Sequence, residues 1–221
     1  MTINRSELKQ AAKDSLRGKW GIAIGICVVY FILIESMQLA NFFDFKHRFD
    51  GFALILFFVL YLAYCFSIPA LIMGFIKVFL RISRNQATSL MDLFDGFSIY
   101  WKAFGLHFTI GFYTLLWSLL LIIPGIIATI SYSMAYYIMA DNHNIEIMDA
   151  IKESKRITYG HKGDIFVLGL SFIGWGLLSC LTLGIGFLWL APYIATTYSN
   201  LYNKLSDTPE IVDNGDYIPA T

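Results

Sequence analysis

Long apolar stretches alternate with short polar ones along this chain. No Asp, Glu, Lys or Arg occurs among the 38 residues between Lys102 and Asp141, or among the 39 between Asp164 and Lys204. About 20 apolar residues cross a bilayer once as a helix, so each run is long enough for two crossings. The pattern predicts six spans, at 20–39, 52–80, 103–123, 124–140, 165–182 and 184–203. Hydrocarbon offers the backbone no hydrogen-bond partner, so each span is expected to be helical. Pro69 and Pro192 fall inside spans, where a ring without an amide proton predicts a kink. Two joints carry no charge. At Ile123-Pro124-Gly125 and at Gly184-Ile185-Gly186, proline and glycine favour a tight turn. A broken helix lining a cavity is the alternative at both.

Three polar stretches have a helical rather than a continuous apolar pattern. The first runs from about Asn4 to Arg17, with Asn4 as cap, Glu7 three residues on, and a stripe of Leu8, Ala12, Ser15 and Leu16. The second runs from Ser89 to Trp101, with Ser89 and Asp92 forming a capping box and Leu90, Leu93, Phe94, Phe97 and Trp101 on one face. The third runs from Ile145 to Tyr159, capped by Asn144 and ended by Gly160. Its Ile147, Met148, Ile151 and Ile157 face the membrane in a stripe interrupted by Ser154. Lys152, Lys155 and Arg156 cluster on and beside the other side, as candidate contacts to lipid or a partner. Each stretch leads through a lysine into a span, at Lys19, Lys102 and Lys162. A unit of interfacial helix, lysine and two-span hairpin therefore occurs three times. Aligning Leu8-Lys9 on Ile151-Lys152 also brings Lys19 onto Lys162 and Ile22 onto Ile165.

Charge sets the expected orientation. With both termini in the cytoplasm, 14 of the 16 basic residues lie inside, and only Lys46 and Arg48 lie outside. The charged N-terminal stretch and the absence of an A-x-A site argue against a cleaved signal. Residues 1–203 read as one six-span domain and 204–221 as an acidic, flexible cytoplasmic tail.

Composition reinforces the pattern. The chain of 221 residues is 57% hydrophobic and 14% charged, against about 25% charged in soluble domains, and its mean hydropathy is +0.61. An all-α integral membrane protein is the expected fold class. The net charge of zero gives no reason to expect nucleic acid as a partner. Cys27, Cys65 and Cys180 all fall in apolar runs and suggest neither a disulfide framework nor a metal site. No cofactor is expected.

Catalytic signatures are missing: there is no Walker loop and no H-E-x-x-H. Asp141-Asn142-His143-Asn144-Ile145-Glu146 gathers two acids and an imidazole, but at no recognised ligand spacing, and a capping loop is the simpler reading. Polar groups within or at the ends of spans are Glu35, His107, Tyr132, Tyr136 and Tyr193. Such groups are functional candidates by default, and the hydroxyl-rich fourth and sixth spans suggest interhelical bonds or a polar cavity. Gly21-x-x-x-Gly25 has the spacing of a helix-packing motif.

The stretch 116–127, Leu-Trp-Ser-Leu-Leu-Leu-Ile-Ile-Pro-Gly-Ile-Ile, is followed by Ser131-Tyr132-Ser133-Met134-Ala135, Asp149-Ala150-Ile151-Lys152-Glu153-Ser154 and Gly160. Phe172-Ile173-Gly174-Trp175 and Ala191-Pro192-Tyr193 come later. From about Leu8 to Tyr202 this succession resembles a bacterial family of multi-pass membrane proteins, the domain-of-unknown-function family numbered 975. It is more distantly similar to the membrane domain attached to some glycerophosphodiester phosphodiesterases, whose active-site residues have no counterpart here. The resemblance implies a bacterial plasma membrane and a multi-pass fold, and no particular chemistry.

Three functions fit. The first is a non-enzymatic accessory, transport-related or envelope-maintenance protein that binds lipid or a membrane partner. The second is a lipid-acting enzyme using His143, Asp141 or His107. The third is a homo-oligomeric channel or scaffold with the Gly21/Gly25 face buried between chains.

Overall fold

A computed structural model describes residues 3–42, 51–207, 210–211 and 217–218. Lys46 and Arg48, assigned to the outer loop, lie outside these residues, as does most of the tail. The described part is helical apart from a two-residue antiparallel pair, Glu210–Ile211 with Tyr217–Ile218. Helix α1 (Arg5–Leu16) turns by 97° into α2 (Trp20–Phe42). Helix α3 (Gly51–Ser83) leads to a 3-10 helix (Leu90–Ile99) and then α4 (Tyr100–Leu120). Helices α5 (Ile122–Tyr132) and α6 (Ala135–Asp141) follow, then α7 (Ile147–Thr158), α8 (Lys162–Leu181) and α9 (Phe187–Ser206).

Among the described residues, three stretches are long and apolar enough to cross a membrane: Tyr61–Ser83, Ile123–Asp141 and Lys162–Leu181. A fourth is added if the bent pair of α1 and α2 counts as one span. Helix α3 stays helical through Pro69, and α9 through Pro192. The fourth expected span is two helices, broken at Ser133-Met134. The break leaves the Ser131 carbonyl to accept a hydrogen bond from Ser154 Oγ at 2.7 Å. Ser154 therefore belongs to the buried face of α7, together with Ala150, Ile151, Ile157 and Thr158. It does not interrupt that face, and Met148 is exposed.

The hairpin turns also differ from expectation. Between α4 and α5 the chain reverses at Leu121, whose backbone is extended, and Pro124 lies in the first turn of α5. First-turn amides have no acceptor within the helix, so proline costs little there. Gly125 is needed for contact: a Cβ would lie 2.4 Å from Ser118 Oγ. The α8–α9 turn matches it, because a Cβ on Gly186 would lie 2.7 Å from Ser179 Oγ. Helix α8 ends with two bonds in the Schellman pattern, Gly184 N–H to the Ser179 carbonyl at 3.0 Å and Leu183 N–H to that of Cys180 at 3.1 Å. Leu183 and Gly184 take positive φ to make them.

The amphipathic stretches pack back on the hairpins. The stripe of α1 is buried as its spacing predicts, with Leu8, Ala12, Ser15 and Leu16 inward, mainly against α9. Helix α7 packs on α5 and α6. It is capped by Glu146, whose extended backbone precedes the first turn, and not by Asn144. Asn144 instead donates its amide to Asn142 Oδ1 at 3.0 Å. The middle stretch makes the most extensive contact of all, with α3, and there backbone meets backbone. A Cβ on Gly74 would lie 1.8 Å from the Leu93 carbonyl oxygen, and one on Gly96 would lie 1.9 Å from that of Ala70. The three-residue period of the 3-10 helix turns both Leu93 and Gly96 inward, while Leu90, Phe94, Phe97 and, in α4, Trp101 are exposed. The α-helical face expected from those five residues is therefore split. The Ser89–Asp92 capping box forms, with the Ser89 amide 3.0 Å from Asp92 Oδ2.

The amphipathic helices of the first and third units, with the turns that follow them, repeat one structure. Helix α1 falls on α7 residue for residue at an offset of 142, Arg5 on Ile147 and Leu16 on Thr158. Gly18 and Gly160 then coincide, both at φ +79°. So do the bonds Lys19 N–H to Leu16 O and His161 N–H to Thr158 O, and the bonds Ala23 N–H to Lys19 O and Ile165 N–H to His161 O. This register is one residue shorter than the alignment of Leu8 on Ile151 suggests: Leu8 falls on Ala150, and Lys19 on His161.

Gly74→Ala and Gly96→Ala are each expected to destabilise the purified protein by at least the ~1–3 kcal/mol of an overpacked core. Gly111→Ala, with no atom within 4 Å of its added carbon, is the control. Thermal unfolding in detergent measures all three; equal midpoints would contradict the close contact.

Candidate functional site

The Asp141–Glu146 segment is a junction where α3, α6 and α9 end. Arg84 donates two bonds to the Asp141 carboxylate, one at 2.8 Å, and a third to Asn203 Oδ1 at 3.1 Å. Tyr202 donates to the same carboxylate at 3.1 Å, and Asn203 donates to Ser83 Oγ at 2.9 Å. The bonds from Asp141 hold the Arg84 guanidinium above its ordinary range. Lys77 Nζ lies 3.1 Å from His143 Nε2. A lysine donating there puts the imidazole proton on Nδ1, which donates to the Met139 carbonyl at 3.1 Å. Lys102 donates to the carbonyls of His143 and Ile145 at 2.8 and 3.3 Å. Imidazole and carboxylate are thus each held by a different cation. Among the described residues, no group of three or more His, Cys, Asp and Glu side chains is placed to hold a metal.

A second polar cluster clamps the 3-10 helix to α3. Arg81 pairs with Asp92 at 2.9 Å and with Asp95 at 3.3 Å, and Lys77 pairs with Asp95 at 3.2 Å. Burial alone would raise the Asp92 pKa. The Ser89 amide and the Arg81 guanidinium outweigh that effect and hold it below the usual carboxylate range.

Among the described residues lie two apolar troughs, each with lysine in its lining. One, of about 430 Å³, lies between Trp117 of α4 and Pro124, Ile127 and Tyr132 of α5, with Lys155 and Lys162 at its mouth. Lys155 Nζ sits 5.3 Å from the centre of the Tyr132 ring. The other, of about 560 Å³, lies between Trp175 and Leu178 of α8 and Trp189 and Tyr193 of α9, with Trp20 and Lys13 at its mouth. Lys13 Nζ sits 5.8 Å from the Tyr193 ring centre. Lys9 Nζ sits 4.5 Å from that of Phe172, which packs edge-on against Tyr193. The ring quadrupole attracts each cation by roughly 0.5–2 kcal/mol. Burial first, then Arg5 and Lys13, lower the pKa of Lys9.

Of the three basic residues singled out on α7, only Lys155 reaches a trough. Lys152 pairs with Asp149 at 3.2 Å and Arg156 with Glu153, both on their own helix. Tyr132 and Tyr193 each line a trough, and His107 meets Tyr136, Nδ1 to hydroxyl, at 2.9 Å. Glu35 is exposed on α2. Gly21 has no atom within 4 Å of where its Cβ would be, and Gly25 meets only Leu90. Lys9, Lys13, Trp20, Trp175 and Trp189 were not expected as site residues. A usable signal was present: Ser-x6-Gly-x6-Tyr occurs twice, as Ser118, Gly125, Tyr132 and as Ser179, Gly186, Tyr193.

A family model described as Protein of unknown function (DUF975) matches residues 1–131 and again 119–208, and the chain belongs to this family. No curated protein and no solved structure matches the chain.

Asp141→Asn and Arg84→Gln are each expected to lower stability by about 1 kcal/mol, since the pair is roughly one-third exposed. The double variant should be no worse than either single one, because the partners share one interaction. A thermal-melting cycle measures the coupling, and additive losses would contradict it.

Proposed function

We propose that this chain is a six-span bacterial plasma-membrane protein with both termini in the cytoplasm, and that it works without catalysis as an accessory component holding anionic membrane lipid. The single observation that carries the lipid reading is the Lys155 ammonium poised over Tyr132 at the mouth of an apolar trough. Hydrocarbon fits walls made by Trp117, Ile127 and Tyr132, and a headgroup phosphate complements Lys155 and Lys162. Neither lysine forms an ion pair among the described residues. Six long helical segments, counting α5 with α6, support the six-span reading. The charge distribution supports the orientation. A lipid-acting enzyme is disfavoured because His143, Asp141 and His107 are each engaged by a cation or a tyrosine.

Lys155→Gln is expected to weaken retention of phosphatidylglycerol by about 1 kcal/mol, roughly fivefold, at low salt. Lys152→Gln and Arg156→Gln should leave it near wild type. Native mass spectrometry in mixed phosphatidylglycerol and phosphatidylcholine reads the difference; equal retention of both lipids would remove the reading. Orientation is tested separately. Single cysteines at positions 124 and 184, in a background lacking Cys27, Cys65 and Cys180, should be labelled from outside intact cells. Labelling only after the inner face is opened would reverse the topology.

A further inference from the structure

We infer that the trough under α1 is a second binding site for anionic phospholipid, equivalent by internal repeat to the one under α7, so that each chain holds two such lipids. The inference rests on the lipid reading of the α7 trough and adds a site, its residues and a stoichiometry.

The equivalence is one of construction. Each trough is made by a hairpin, the amphipathic helix of the next unit, and the first residue of the span after it. For the α4–α5 hairpin these are α7 and Lys162; for the α8–α9 hairpin they are α1 and Trp20. At the offset of 142 set by Arg5 and Ile147, Lys13 falls on Lys155 and Trp20 on Lys162. At the offset of 61 set by the two Ser–Gly contacts, Tyr132 falls on Tyr193 and Trp117 on Leu178. Two independent registers thus place a lysine over a tyrosine at the same point of both units. The α1 unit closes on the hairpin at the other end of the chain, where Lys204 pairs with Glu7 at 3.0 Å.

Charge and shape complement one kind of ligand. Lys13 and Lys9 form no ion pair among the described residues, and both ammonium groups lie over rings. Lys13 leaves a positive charge at the mouth of a trough whose walls are almost wholly apolar, and Lys9 adds a second one a turn away on the same helix, over Phe172. Trp175, Leu178 and Trp189 are more than half exposed, so the trough is open along the side that faces hydrocarbon in the proposed topology. A soluble phosphate would satisfy the lysines and leave those walls empty, whereas a phospholipid satisfies both. Arg5, two turns from Lys13, adds to the positive field, and Asp14 is the nearest carboxylate in sequence.

The middle stretch explains why the number is two. Aligning Pro69 with Pro192 puts Ala70 where Tyr193 stands. There the 3-10 helix lies directly on α3, with Gly96 against the Ala70 carbonyl. The place of the ring is occupied by backbone.

Native mass spectrometry of the full chain, titrated with phosphatidylglycerol at low salt, tests the count. Wild type should retain two phosphatidylglycerol molecules, and Lys13→Gln and Lys155→Gln one each, with roughly fivefold weaker binding at the altered site. The double variant should retain none above the level of phosphatidylcholine. Lys13→Arg, which keeps the charge, should restore two, separating a binding role from a folding one. Millimolar inorganic phosphate should displace neither lipid. A single lipid in wild type, lost in Lys155→Gln and indifferent to Lys13→Gln, would overturn the second site and leave the first. Displacement by inorganic phosphate, or no preference over phosphatidylcholine in wild type, would overturn both.

Discussion

Each amphipathic stretch in this chain must hide one face, and it does so against the end of a hairpin. That packing organises the rest. The stripe of Leu8, Ala12, Ser15 and Leu16 rests mainly on α9, the stripe of Ala150, Ile151 and Ser154 rests on α5 and α6, and the 3-10 helix rests on α3. Once each stretch is seated, the span that follows it starts from a defined place, and the trough beside the hairpin acquires its mouth. The contact need not be chemically uniform. Under α1 it is side chain on side chain. Under α7 it includes a hydroxyl supplied to a broken helix, and at Gly74 and Gly96 it is peptide on peptide.

The polar groups follow from the same arrangement. Helices α3, α6 and α9 end beside one another, which crowds carbonyls and charged side chains at one place. There Arg84 pairs with Asp141, Lys77 meets His143, and Lys102 caps the carbonyls of His143 and Ile145. Lys9, Lys13 and Lys155, on α1 and α7, instead lie over aromatic rings of neighbouring helices. What distinguishes the troughs is therefore less the presence of positive charge than its lack of a carboxylate partner.

Elements whose cause is local were legible in the sequence. The buried face of α1, the Ser89–Asp92 box and the stop at Gly160 depend on residues within a turn of one another. The middle amphipathic stretch was read as an α-helix because its apolar residues recur at that spacing. Only the approach of Gly74 on another helix explains why it is wound more tightly. Ser154 looked like a flaw in a stripe because its acceptor, the Ser131 carbonyl, is 23 residues away. The repeat was visible, but its register rests on backbone geometry at Gly18 and Gly160, and side-chain similarity pointed one residue off. Lys13 stayed hidden for the same reason: its tyrosine lies at the far end of the chain.

The contact of Glu7 with Lys204 joins the first helix to the last across 197 positions. During synthesis the N-terminal segment leaves the ribosome long before α9 exists. Until α9 is in place, the apolar stripe of α1 lacks its main cover and has only α3 to rest on. Docking of α1 is then the closing step of assembly, and it completes the second trough at the same moment. A chain truncated before α9 would retain the α7 pocket and lack its counterpart, so occupancy of the two would distinguish a finished molecule from a partial one.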